Sequence, residues 1–97
     1  METTQVITAL TALAQESRLA VFRLLMQIGP QGLAATKISE QLQIPPSSLS
    51  FHLKELSRAG LINGRQEGRF VIYVARVAAM KEVLAFLTEN CCAGQPC

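Results

Sequence analysis

Ile44-Pro45-Pro46 stands near the middle of the chain and forbids a helix from running through it. Proline lacks the amide proton a helix needs, and its ring pushes the preceding residue out of the α region. On both sides of this break the apolar residues recur at helical spacing. Upstream, Ile38 and Leu42 point inward from a helix expected over residues 36–43, with Thr36 as N-cap. Glu40 falls one position beyond a capping box. Downstream, Leu49, Leu53 and Leu56 follow at i, i+4 and i+7. Their helix is expected to start from a Ser47 or Ser48 cap, run to about Ala59 and end at Gly60. The middle of the chain therefore reads as two short helices joined by a tight turn.

The flanks complete the pattern. Val6, Leu10 and Leu13, with Ile7 beside them, predict an amphipathic helix over residues 3–14. Leu19, Phe22, Leu25 and Ile28 stripe a second over residues 16–28, which Gly29-Pro30 stops. Residues 31–35 read as a connector. Beyond Gly60 the runs become β-type: Leu61-Ile62 and residues 70–74 flank the turn-rich basic stretch 63–69, a hairpin. A last helix over residues 78–88 carries Met80, Val83, Leu84 and Leu87, after which Asn90, Gly94 and Pro96 keep the tail irregular. The expected fold is mainly α with a β-hairpin wing, in the order α-α-α-α-β-β-α. It is a winged helix-turn-helix, one domain over residues 1–97 with a cysteine tail from about residue 89.

At 97 residues and 49% hydrophobic, with no tryptophan and few aromatics, the chain offers a small aliphatic core. Pairing into a homodimer is expected to cover faces one subunit leaves bare. No charged-then-apolar leader and no long uncharged apolar run occur, so neither export nor a membrane partner is expected. An odd number of cysteines without an export signal then predicts reduced thiols in the cytoplasm.

The net charge of +2 is too weak by itself to imply nucleic acid, but its placement is informative. Lys37, Lys54, Arg58, Arg65, Arg69 and Arg76 outnumber Glu40, Glu55 and Glu67 across residues 37–76, leaving a local excess of +3. A dimer doubles that excess on one surface, which favours phosphate contacts. Opposite the leucine stripe lie Ser47, Phe51, Lys54 and Arg58, with Ser50 and Glu55 on the flanks. Small hydroxyls and cations suit base edges and phosphates. Ser48 starts the same helix, and Arg65 and Arg69 at the hairpin are placed to meet phosphate or the minor groove. A solvated helix face and a charged turn would need no DNA, yet the double-proline turn, the serine-rich face and the basic hairpin occur together. The expected partner is double-stranded operator DNA. His52, beside the apolar stripe, is either a half-buried hydrogen-bonded ring or a further DNA contact.

The segments Leu13-Ala14-Gln15-Glu16-Ser17-Arg18-Leu19, Ser47-Ser48-Leu49-Ser50-Phe51-His52-Leu53-Lys54-Glu55-Leu56, Ala59-Gly60-Leu61-Ile62 and Arg65-Gln66-Glu67-Gly68-Arg69 together resemble the ArsR/SmtB family over nearly the whole chain. The resemblance implies a homodimeric winged-helix repressor that releases operator DNA on binding a metal or metalloid. It also implies a dimer interface built from the first and last helices, and a recognition stretch containing Ser47, Ser50, Phe51 and Lys54.

Family members place their sensory sites differently. The Cys-x-Cys motif of many arsenic and cadmium/lead sensors belongs in the helix before the recognition helix, which here has no cysteine. The histidines and carboxylates of zinc, cobalt and nickel sensors belong on the last helix, which here offers only Glu82. What remains is the tail, where Cys91, Cys92 and Cys97 gather every thiol of the chain into its last seven residues. Soft thiolates select thiophilic centres. Arsenite needs three sulfur bonds in a pyramid, whereas structural zinc normally takes four ligands. The tail also resembles the C-terminal arsenic site of one ArsR subgroup. Trivalent arsenic is thus the expected inducer, with antimonite accepted on the same chemistry. Neighbouring helical positions diverge by about 100°, so Cys91 and Cys92 can face one atom only if the helix ends before or at Cys91. The competing reading is redox sensing, in which oxidation links Cys97 to Cys91 or Cys92. An enzyme is not expected: no arginine follows Cys91, no glycine-rich phosphate loop exists, and a Cys–His pair through His52 lacks an orienting third residue.

Overall fold

The computed structural model describes residues 1–96. Helix α1 (Thr3–Leu13) is followed by α2 (Glu16–Ile28), β1 (Leu33–Ala34), α3 (Ala35–Leu42), α4 (Pro46–Arg58), β2 (Ile62–Glu67), β3 (Phe70–Ala75) and α5 (Val77–Leu87). A short 3-10 turn, Cys91–Gly94, ends the described chain. This is the expected winged helix-turn-helix, with one strand more than the sequence indicated.

The turn between α3 and α4 follows from its residues. Gln43 adopts a left-handed conformation that closes α3. Ser39 ties the turn from both sides, its Oγ donating to the Ile44 carbonyl at 2.6 Å while its own carbonyl accepts from Ile44 N at 3.2 Å. Pro45 is the N-cap of α4 and Pro46 its first residue. A proline there gives up an amide that has no helical partner in any case. Ser47 and Ser48 therefore lie inside the first turn instead of capping it. Likewise α3 starts at Ala35 from an Ala34 cap, one residue before the expected Thr36.

Leu49, Leu53 and Leu56 are buried as their spacing required, among Val21, Phe22, Leu25, Ile38, Leu61 and Ile62. The flanking helices turn differently from expectation. Helix α1 buries Val6, Ala9 and Ala12, not a Val6/Leu10/Leu13 stripe. Its alanines let it lie close to the core and leave Ile7 and Leu10 57% and 42% exposed. Helix α2 buries Val21, Phe22 and Leu25 and exposes Leu19. Helix α5 buries Ala79 and Val83 and exposes Leu84 and Leu87.

The segment read as a connector supplies β1, which pairs antiparallel with β3 through Leu33↔Tyr73 and Ala34↔Ile72. Gly32 makes this possible. Its φ of +73° suits glycine, and a Cβ there would lie 2.7 Å from Ile72 Cγ2 and from the Tyr73 carbonyl oxygen. The hairpin is also longer than expected. Its ladder runs from Ile62↔Ala75 to Glu67↔Phe70, leaving only Gly68 and Arg69 in the turn. Gly68, with φ of +62°, occupies the position where a two-residue turn of type II′ takes glycine.

Candidate nucleic-acid interface

Helix α4 presents the outward face its sequence predicts. Ser47, Ser48, Ser50, Phe51, Lys54 and Arg58 are all exposed. They stand on a helix anchored by three buried leucines, so the surface is polar and basic while the base beneath it is rigid. Phe51 is the apolar exception at 56% exposure.

His52 is half-buried, and its Nδ1 accepts from Arg18 Nη1 at 3.4 Å. Because a guanidinium only donates, this contact places the neutral ring's proton on Nε2. Burial first, and the Arg18 charge second, hold His52 below its ordinary pKa of 6.5. Arg18 also donates from Nε to the Ala12 carbonyl at 2.7 Å, one of the carbonyls that the end of α1 leaves without a helical partner. One guanidinium thus joins the end of α1 to the middle of α4. The local sequence carries no sign of this bridge, since Arg18 and His52 are 34 positions apart.

The wing carries its two arginines differently. Arg69 is exposed in the turn at the tip. Arg65, on β2, donates to the carbonyls of Pro30 at 3.5 Å and Gln31 at 2.9 Å, and its Nε pairs with Glu67. Its guanidinium faces the α2–β1 connector.

In the tail, α5 ends at Leu87, and Asn90 is left-handed at φ +56°. The helix has therefore stopped before Cys91, as two adjacent ligands to one atom require. Cys92 and Ala93 are left-handed as well, a tight reversal for non-glycine residues. Cys91 is an exposed free thiol, and Cys92 stands in a disulfide. The third predicted ligand, Cys97, lies outside the described residues. Among the described residues no three histidine, cysteine or acidic side chains gather as a metal site, and no helix is long and apolar enough to cross a membrane.

Residues 13–65, which hold the two-helix unit and the first half of the wing, match the model of a helix-turn-helix domain. The chain belongs to this helix-turn-helix family. It is 32% identical over 83 residues to the transcriptional activator HlyU of Vibrio cholerae, covering 86% of this chain and 74% of that one. A solved structure of HlyU superposes with a TM-score of 0.71 at 35% identity, covering 90% of this chain and 97% of the other. A structure of reduced HlyU gives 0.69 at 34% identity, covering 88% and 90%. A structure described as a possible transcriptional regulator for arsenical resistance gives 0.71 at 25% identity, covering 81% and 79%. An ArsR-like regulator from Rhodococcus, at 22% identity, shares the fold with a TM-score of 0.77, covering 94% and 82%. DNA-binding transcriptional regulation is thus the function of this helix-turn-helix protein.

Proposed function

We propose that this regulator is a cytoplasmic homodimeric repressor that releases operator DNA when trivalent arsenic binds its C-terminal thiolates. The carrying observation is that α5 stops short of Cys91, freeing Cys91 and Cys92 from helical divergence within a segment that also holds Cys97. Arsenous acid exchanges its three hydroxyls for three thiols: each S–As bond forms as an As–O bond breaks, the thiol proton joins the departing hydroxide, and one water leaves per exchange, with no change in oxidation state. Antimonite undergoes the same exchange. One similar structure is described as a possible transcriptional regulator for arsenical resistance.

Ile7 and Leu10 on α1, with Leu84 and Leu87 on α5, leave apolar surface that a second subunit covers. The two α4 helices then lie about one DNA turn apart, on successive major grooves. Ser47, Ser48, Ser50, Phe51, Lys54 and Arg58 face the groove and its phosphates, with Arg69 at the wing tip. Ligand exchange at the end of α5 constrains a helix of the dimer interface. Rotating one subunit against the other breaks the match to adjacent grooves. Reciprocity follows: the factor by which arsenite weakens DNA binding is the factor by which DNA weakens arsenite binding. HlyU is named an activator. Both signs of control need only DNA binding, and repression results where the operator overlaps the promoter.

A second reading has its own support, since Cys92 stands in a disulfide and one structure of HlyU is of its reduced form. In it, two thiols give two protons and two electrons to a peroxide, yielding a disulfide and either two waters, from hydrogen peroxide, or an alcohol and a water, from an organic hydroperoxide. Arsenite titration of the reduced protein, followed by the ultraviolet absorption of As–S bonds, separates the two. One arsenic per three thiols, lost in the Cys91→Ser, Cys92→Ser and Cys97→Ser variants, supports the metalloid site. No As–S absorption, with DNA release by peroxide instead, supports the redox switch.

A further inference from the structure

Phe51 is the one large apolar side chain on the outward face of α4, set between Arg58 and Glu55 around the wheel, with Ser47 and Lys54 beyond Arg58. Water gives an exposed aromatic ring no gain there, and the three buried leucines already anchor the helix. The ring is braced from behind: its centroid is 5.8 Å from that of His52, in an edge-on arrangement at 64°. His52 is itself tied to Arg18, and Arg18 to the end of α1. The ring therefore sits at the end of a chain of contacts that reaches the body of the protein.

In the major groove the four base pairs display donors, acceptors and a single apolar group, the C5-methyl of thymine. We propose that Phe51 reads that methyl group, making a thymine in each half-site a specificity element of the operator. This rests on the DNA-binding reading of α4 and adds to it what one position recognises. Ser47, Ser50 and Lys54, on the same face, supply hydrogen bonds and charge, so discrimination by methyl contact falls to Phe51 alone.

The test uses the full chain and a duplex enriched by binding from a random-sequence pool. Each thymine is replaced in turn by deoxyuridine, which lacks only the methyl. The expected result is about a fourfold loss of affinity at one position per half-site, the transfer value of one buried methyl-sized group. That loss should vanish in Phe51→Ala and persist in Phe51→Leu, which keeps an apolar contact. Because Phe51 is more than half exposed and the buried leucines anchor α4, both variants should remain folded, which urea unfolding checks. A duplex that binds well but shows no sensitive thymine overturns the proposal and leaves the regulator intact. So does a sensitive thymine that remains equally sensitive in Phe51→Ala. A pool from which nothing is enriched overturns the DNA-binding reading, and this proposal with it.

Discussion

Arg65 and Arg69 carry the same charge in one hairpin, yet their surroundings predict different effects on DNA binding. A phosphate contact releases counterions, and each adds about 0.9 to the slope of log K against log salt. Removing one phosphate-binding arginine from each subunit of a dimer lowers the slope by about 1.8, a roughly twelvefold smaller loss of affinity between about 50 and 200 mM salt. Arg69→Ala should show this change, because its side chain is exposed at the wing tip. Arg65→Ala should not, because the guanidinium faces the Pro30 and Gln31 carbonyls and Glu67. Those exposed contacts contribute on the order of 1 kcal/mol to holding the wing on the connector. Without them, DNA binding should weaken at every salt concentration while the slope stays as in wild type. Fluorescence anisotropy across a salt series reads both quantities. Equal losses of slope in the two variants would refute the assignment of Arg65 as a latch.

Further expectations concern stability and assembly. Leu56→Ala empties a fully buried position and should cost about 2–5 kcal/mol in urea unfolding, a large part of a small domain's stability. Gly32→Ala brings a Cβ against Ile72 and the Tyr73 carbonyl at a positive φ, so it should destabilise by at least about 1 kcal/mol and loosen β1, seen as faster amide exchange in β3. In the proposed homodimer, Leu84→Glu on the exposed face of α5 should shift the protein to a monomer in sedimentation; a wild-type chain that sediments as a monomer, or a variant that stays dimeric, would remove α5 from such an interface. His52 is held below 6.5 in the folded state, so below that pH the unfolded chain binds more protons. Stability should therefore fall as pH drops through 6.5 and level off below the folded-state value, and His52→Gln should remove that part of the decline in urea midpoints.

Where local spacing alone decides structure, the sequence was readable. Leu49, Leu53 and Leu56 announced the buried side of α4, and the prolines announced the turn before it. The termination of α5 ahead of Cys91 followed from Asn90. What escaped depends on contacts between distant segments. Strand β1 exists because Gly32 admits the backbone and side chains of β3, which no window of residues 31–35 reveals. The inward face of α1 uses Ala9 and Ala12, whose small size permits close approach, so the large residues that dominate its pattern point outward. The outer hairpin is polar through residues 63–67 and shows no alternation, although its ladder continues to Glu67. The Arg18–His52 bridge and the Arg65 latch likewise join parts of the chain more than thirty positions apart.

In the proposed mechanism the cysteine tail controls DNA binding through arsenic. Anisotropy of a labelled operator duplex, titrated with arsenite under reducing conditions, tests it most directly. Release by arsenite but not by zinc, abolished when Cys91, Cys92 and Cys97 are together replaced by serine, is the predicted result. Undiminished release from the triple variant, or a wild-type complex indifferent to arsenite, would contradict it.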